Sequence, residues 1–457
     1  MTNPASIADT HHNTYVNLGL DSALDKHLND IDDLNYATLT EALEQTVFEN
    51  FDDGLYIGMM SGTSLDGMDA VLCQFSDHIS DESDTQRPMR LLATYSQDFP
   101  PRLREVLLAL CQPNGVTQLV PKADEPNSEL DWFGWANREY AEFASDVVNT
   151  LLKKAKTDPE AVLAIGCHGQ TVRHRPQMGF SLQLVDPNII AERTGISVVS
   201  DFRRRDMAVG GQGAPLVPAF HQALFAATDN TRVLLNLGGI ANITVLPASS
   251  AHTPNQEPSQ NVVGYDTGPA NLLLDAWTTL HTDKGYDAGG AWAQSGQIVE
   301  PLLNQFLEHP FFTRPYPKST GREDFNLEWL QDELQKFDQA SVHVRYSSAD
   351  VQATLTELTA VSASAQIKQF LNKGGQDCGA IYVCGGGALN NYLIKRLQAN
   401  LPHCTVETTA RLGLNPTWVE AVAFAWLARQ TLMGETGNLP AVTGANKGVV
   451  LGQVCFA

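Results

Sequence analysis

Two short stretches of this chain share one construction. Residues 55–75 run from an apolar segment (LYIGMM) through a glycine-rich turn (SGTSLDG) into a second apolar segment, and residues 233–246 (VLLNLGGIANITVL) repeat that order. Apolar run, Gly-containing turn, apolar run is the signature of a β-hairpin. Each hairpin opens a mixed stretch of strand and helix patterns of comparable length. A duplicated, hairpin-led α/β unit predicts two similar halves with a cleft between them. No shorter repeat of the solenoid kind is present.

Helical periodicity predicts helices over 101–111, where Leu103, Val106, Leu107 and Leu110 share a face, and over 136–156. Strands are expected at 162–165 and 196–199, and helices near 217–227, 297–307, 350–372, 388–399 and 417–433. The polar stretches 76–88 and about 248–260 read as an exposed loop and an insert. Residues 1–54 read as an extension ahead of the first strand.

The 457 residues carry 52 acidic and 30 basic side chains, a formal charge of −22. Eleven of the acids and a single basic residue, Lys26, fall within 1–54, so the rest of the chain carries −12. The balance argues against nucleic acid, which calls for a basic surface, and against anionic membranes. It leaves room for a local basic pocket that holds an anion. No apolar stretch approaches the ~20 residues of a membrane span; the longest, Ala421 to Ala428, suits a buried helix. The start lacks the pattern of a secretory signal, and seven dispersed cysteines without a CxxC pair suit a reducing, cytoplasmic setting.

Four glycine-bearing segments carry the chemistry. In SGTSLDGMD, the amides between Gly62 and Gly67 can form an anion nest, and Thr63 and Ser64 add hydroxyl donors. Asp66 and Asp69 can hold Mg²⁺ directly or through water. The same residue types also build an ordinary turn, and the Walker pattern is absent. LNLGGIANIT places Gly238 and Gly239 in the corresponding turn of the second half. CGGGALNN, with Gly385, Gly386 and Gly387, allows either close approach of backbone to a flat ligand or close packing of strand on helix. It lacks the GxGxxG of a dinucleotide site. In GYDTGPAN, Asp266 ends a strand before a helix, as a general base or as an N-cap. Of Arg203, Arg204 and Arg205, one or two can reach a ligand, with Asp201 and Asp206 as ion-pair partners for the others. Cys167, His168 and His174 lack the further ligands a metal site needs.

Together these segments closely resemble the anhydro-N-acetylmuramic acid kinase family, bacterial cell-wall recycling enzymes of the acetate and sugar kinase/Hsp70/actin superfamily. The resemblance runs from about Leu55 to the C-terminus. It rests on GMMSGTSLDGMD, CHGQTVRH, DFRRRDMAVGGQGAPLVPAFH, LNLGGIANIT, GYDTGPANLLLDAW, PKSTGRE, VCGGGALNN and PTWVEAVAFAW in family order. It implies an α/β fold of two actin-like (ribonuclease H-like) halves with mixed sheets. The first would span 55–230, completed by 434–457, and the second 231–433. It implies ATP and Mg²⁺ as cofactors. Gly62, Thr63, Ser64, Leu65, Asp66, Gly67, Met68 and Asp69 would form the first phosphate hairpin, and Asn236, Gly238 and Gly239 belong to the second. Gly385 to Gly387 would lie at the adenosine, and Asp66 would be the metal ligand. Asp266 matches the catalytic aspartate; Arg205, Glu420 and Gln170 match sugar-binding positions. The partners implied are ATP, a muramyl amino sugar and a second copy of the chain in a homodimer. A kinase for a free-hydroxyl sugar and a nucleotide-gated binding protein are the competing readings. A chain lacking residues 1–54 is expected to turn over as the full chain does; collapse of turnover in a folded truncation would place that segment in the site.

Overall fold

A computed structural model describes residues 54–62, 64–75, 89–122, 124–248, 262–341, 343–371 and 379–457. The extension up to Asp53, Thr63, the loop 76–88 and nearly all of the insert, 249–261, lie outside the described residues.

The chain first lays down β1 (Gly54–Met60), β2 (Gly67–Phe75), β3 (Met89–Asp98), α1 (Pro101–Cys111) and α2 (Glu129–Ala155). There follow β4 (Val162–Cys167), the small hairpin β5 (Gln170–Arg175) and β6 (Phe180–Leu184), α3 (Pro187–Thr194), β7 (Val198–Ser200), α4 (Phe202–Ala208) and α5 (Val217–Phe225). The pattern then restarts with β8 (Arg232–Leu237), β9 (Ile240–Leu246) and β10 (Val263–Pro269). Six helices come next: α6 (Asn271–His281), α7 (Ala291–Ser295), α8 (Glu300–Leu307), α9 (Pro310–Thr313), α10 (Leu327–Ala340) and α11 (Ser348–Leu371). The chain closes with β11 (Ala380–Cys384), α12 (Asn391–Asn400), β12 (Val406–Thr408), α13 (Val419–Leu432), α14 (Pro440–Thr443) and β13 (Gln453–Cys455).

The two main sheets share one topology. Strand order is β13-β7-β4-β1-β2-β3 in the first and β10-β9-β8-β11-β12 in the second. In each, the opening three strands form an antiparallel meander, and two parallel strands extend its first member. Parallel neighbours need a crossover: α1 and α2 link β3 to β4, and α6 to α11 separate β10 from β11. Each half is therefore a mixed sheet flanked by helices, as the resemblance implied. No described helix is long and apolar enough to cross a membrane.

One helix joins the halves. α13 is apolar on nearly all sides, and nine of its residues are buried. Its core also takes in Tyr56 of β1, Leu234 of β8 and Tyr382 of β11. Helix backbone touches sheet backbone because Gly58 and Gly166 stand beneath it. A Cβ at Gly58 would lie 1.9 Å from the Ala421 carbonyl oxygen, and one at Gly166 would lie 2.0 Å from that of Phe424. α13, grouped with the second half in the sequence reading, thus packs on β1, β2 and β4 of the first sheet.

The C-terminal segment is fastened to the same half. β13 pairs antiparallel with β7. The fully buried Asp206 accepts from Asn438 Nδ2 at 2.6 Å, Thr443 Oγ1 at 2.7 Å and the Gly213 amide at 2.7 Å. A buried carboxylate needs such donors, and here they tie the loop after α4 to residues 438–443. Gly166→Ala is expected to cost about 1–3 kcal/mol by overpacking, read as a lower denaturant midpoint; an unchanged midpoint would mean that α13 is not seated through this glycine.

Candidate active site

The turn between β1 and β2 is held from behind. Ser61 Oγ lies 3.0 Å from Tyr140 Oη of α2, and Ser61 Oγ donates to the Gly169 carbonyl at 3.4 Å. Leu65 adopts a left-handed φ of 58° with its side chain buried, a conformation that costs roughly 1–2 kcal/mol outside glycine. Arg104 of α1 steadies it, donating through Nε to the Leu65 carbonyl at 2.8 Å and through Nη2 to Asp66 Oδ1 at 3.3 Å. Ser64 and Asp66 face solvent, whereas Met68 is buried. Gln170 is buried against the turn, with a long 3.5 Å contact from Nε2 to the Gly62 carbonyl and no partner for Oε1 among the described residues.

The second hairpin turn caps a helix. Gly238 and Gly239 carbonyls accept from Asn271, Ala270 and Leu272 amides at 3.0–3.1 Å, which fixes the start of α6 beneath them. Gly385 and Gly387 are required by packing, since a Cβ would meet Asn236 Oδ1 at 2.4 Å and Leu237 Cβ at 2.5 Å respectively. At Gly386 a Cβ would make only an ordinary contact, 3.8 Å from Asn271 Nδ2. Close packing thus accounts for two of the three glycines, and the middle one is exposed.

Strand register brings the polar side chains into line. Asn236 pairs with Asn242, and Asn242 with Asp266, so the three form a row across β8, β9 and β10. Two strand spacings separate Asn236 from Asp266, about 10 Å. Asn236 shares its face with Leu234, two residues before it, which packs in the α13 core. The row therefore occupies the sheet face turned toward that helix. On the first sheet the matching row carries Met60, Asp69 and Ser96.

Asp266 is the most constrained of these. Its amide donates to the Lys318 carbonyl at 3.1 Å, and its Oδ2 accepts from the Thr320 amide at 3.0 Å. Burial pushes its carboxyl up to about 7, against the lowering effect of the Thr320 bond and with a further rise from Glu323. No N-cap bond is made: the residue before α6 is Ala270, and it caps with no side chain.

Glu420, in the first turn of α13, meets the row from above. Its Oε1 accepts from Asn236 Nδ2 at 3.4 Å. Burial raises its pKa, the Arg203 charge lowers it and the Asp69 carboxylate raises it. Arg203 is the inward arginine. It donates to His168 Nε2 through Nη2 at 2.8 Å and Nε at 3.2 Å, and to the Gly213 carbonyl at 2.8 Å. Burial pushes it down to about 10, with Glu420 and Asp206 opposing. His168, buried beside that cation, is held well below the usual imidazole range, first by desolvation. Arg204 pairs with Asp201, as the sequence suggests. Arg205 is exposed on α4, away from these contacts.

The structure thus brings Asn236, Asp69 and Arg203 each within range of Glu420, with Asp266 along the same row as Asn236. It places Asp66, Gly62 and Gln170 at the first turn and Gly238, Gly239 and Gly386 at the second. Sequence reasoning leaves open which of Arg203, Arg204 and Arg205 turns inward, since adjacent arginines look alike in one dimension, and it misses Lys318, because a lysine in a polar stretch reads as surface. Cys167 and His174 form no cluster with His168, and among the described residues no three metal-ligating side chains gather.

Two sheets of one topology, each opening on a glycine-turned hairpin and both presenting acids toward a shared helix, define a two-halved α/β enzyme with a half-buried carboxylate as candidate base. The sequence pattern of the family described as anhydro-N-acetylmuramic acid kinase matches residues 54–457, and the chain belongs to that family. A protein named anhydro-N-acetylmuramic acid kinase from Psychrobacter arcticus is 81% identical, covering 93% of this chain and 100% of that one. Its namesake from Saccharophagus degradans is 46% identical over 88% of this chain and 98% of that one. Whole-chain superposition on solved structures is loose. A ROK family glucokinase from Streptomyces griseus in complex with glucose and AMPPNP gives a TM-score of 0.34 at 14% identity, covering 82% of this chain and 100% of that one.

Replacing Arg203 with Met leaves Glu420 facing Asp69 without its cation, so the melting temperature is expected to fall well below that of Arg205→Met. Equal melting temperatures for the two variants would contradict the inward placement of Arg203.

Proposed function

We propose that this chain phosphorylates 1,6-anhydro-N-acetylmuramic acid with ATP while opening its anhydro ring, giving N-acetylmuramic acid 6-phosphate and ADP. Family membership and the names of its relatives support the substrate class. The observation that carries the chemistry is Asp266, a half-buried carboxylate held by the Thr320 amide and poised at about 7. A base with that value suits proton removal near neutral pH.

The anhydro bridge leaves the sugar no free 6-hydroxyl, so phosphorylation needs the ring to open. Asp266 takes a proton from water as the water oxygen bonds to the anomeric carbon. The bond from that carbon to the bridging oxygen breaks, and its electron pair stays on the oxygen. That oxygen then bonds to the γ-phosphorus as the bond to the β-phosphate oxygen breaks, and ADP leaves. The proton on Asp266 is returned to solvent, which closes the balance of water, sugar and ATP against the two products and one proton.

The turn at Gly62 to Asp69, with Thr63 outside the described residues, and the turn at Asn236 to Gly239 supply amides for the phosphates. Gly386, with Gly385 and Gly387 shaping the backbone around it, gives room for the adenosine. Glu420 and Arg203 supply the polar contacts for the sugar, alongside Gln170, and Arg205, exposed on α4, would meet it from the solvent side.

Mg²⁺ fits the mouth of the first turn. Asp275 of α6 is pushed up to about 7 by burial and then by the charges of Asp66 and Asp287, a crowding that a divalent cation relieves. Mg²⁺ takes one or two carboxylates and fills its other positions with water and phosphate oxygens. Asp66 would hold it, directly or through water, in competition with Arg104. Bound there, the ion would supply neutralisation of phosphate charge.

Asp266→Asn is expected to lose turnover by about 10²–10⁴-fold while ATP still binds in an equilibrium titration. Near-normal turnover would remove Asp266 from the base role. Because only the ionised carboxylate accepts a proton, kcat/KM should rise with pH through about 7 in the wild type. The same raised pKa makes the fold lose stability as pH climbs from the ordinary 3.8 through about 7, as proton uptake by the folded form is lost. A flat rate profile across that window would contradict the assignment.

A further inference from the structure

The segment 316–320 runs beside β10, which is the edge strand of the second sheet. It meets Asp266 twice, the Lys318 carbonyl accepting from the Asp266 amide and the Thr320 amide donating to the Asp266 carboxylate, and so grips one residue by both backbone and side chain. Exposed segments of this kind peel away unless fixed elsewhere. Two anchors are present. Thr320 Oγ1 donates to Asp324 Oδ2 at 2.9 Å, and Asp324 also lies 3.7 Å from Arg314. The second anchor is Lys318 itself.

Lys318 is 8% exposed. Its Nζ donates to the Phe311 carbonyl at 3.2 Å and the Phe312 carbonyl at 3.4 Å, at the end of α9, and sits 4.5 Å from the centre of the Phe311 ring. Burial and the neighbouring Arg314 lower its pKa. A buried ammonium is costly, and an apolar side chain of similar length would fill the same space at lower cost. What the ammonium adds is direction: two carbonyls and a ring face fix where its backbone lies.

We infer that Lys318 is a positioning residue for the catalytic carboxylate, pinning the 318–320 segment to α9 so that the Thr320 amide stays on Asp266. The inference rests on Asp266 acting as the base. The groups that act on Asp266 are the Thr320 amide, which favours its ionised form, and the Glu323 carboxylate, which opposes it. Asn242, opposite on β9, is uncharged, and the Lys318 ammonium is turned toward α9. Losing one amide bond to a carboxylate is worth roughly one pH unit.

The test uses the full-length enzyme with ATP, Mg²⁺ and the anhydro sugar, measuring kcat/KM against pH together with the melting temperature. In Lys318→Met the acid limb is expected to move up by about one unit, with kcat/KM at pH 7 down by about fivefold and KM for ATP unchanged. Lys318→Arg, which keeps donors at that place, should bring the limb most of the way back. Thr320→Pro deletes the amide donor with Lys318 in place and should move the limb in the same direction. It also carries the test if Lys318→Met fails to fold. A lower melting temperature with an unmoved limb would overturn the inference, as would a limb that moves in Lys318→Met but not in Thr320→Pro. Asp266→Asn separates the two claims: full loss of turnover there beside an unmoved Lys318→Met limb defeats the positioning role alone, whereas retained turnover defeats the base assignment.

Discussion

The seat of α13 on the first sheet is the contact on which the rest of the site depends. Backbone against backbone is possible only because β1 and β4 each present a glycine there, at Gly58 and Gly166. The helix fills the space between two sheet faces and shares a core with both. Its first turn thereby carries Glu420 to Asn236 of the second sheet and within range of Asp69 on the first. A small shift of this helix would separate residues contributed by three distant parts of the chain. The Asp206 clamp serves the same end by fastening the loop behind Arg203 to the C-terminal segment.

Local features of the fold were legible in the sequence. Hairpins declare themselves through glycine between apolar runs, and α1 shows its buried face directly as Leu103, Val106, Leu107 and Leu110. The apolar run 421–428 reads correctly as a buried helix. Less legible was α10, whose buried Leu330, Leu334 and Phe337 are outnumbered by acids and amides, so that its stripe is masked by the polar face. α12 starts at Asn391 because a 3-10 turn occupies Gly386–Leu389, and glycine-rich starts blur such boundaries. Which of three arginines turns inward depends on the rotation of α4 and on His168, brought in from another strand. Register across β8, β9 and β10, which aligns Asp266 with Asn236, is likewise a property of the folded sheet.

The electrostatics fit a strongly acidic protein that handles anions. Burial, reinforced by neighbouring carboxylates, raises Asp266 and Asp275 to about 7. For Asp266 this suits the proposed role of proton acceptor near neutral pH; at the first turn it gives a place that a divalent cation would neutralise. Positive charge is sparse and placed: Arg104 behind the first turn, Arg203 beneath Glu420, Lys318 beneath the segment that grips Asp266.

The central claim is that water opens the ring as the released oxygen takes the phosphoryl group, with Asp266 as the base. Turnover of 1,6-anhydro-N-acetylmuramic acid with ATP and Mg²⁺ in ¹⁸O-labelled water, read by mass spectrometry of the product, tests it most directly. The account predicts one labelled oxygen on the anomeric carbon of a 6-phosphorylated sugar and none in the phosphate. Label in the phosphate, or phosphorylation confined to sugars that already carry a free 6-hydroxyl, would contradict it.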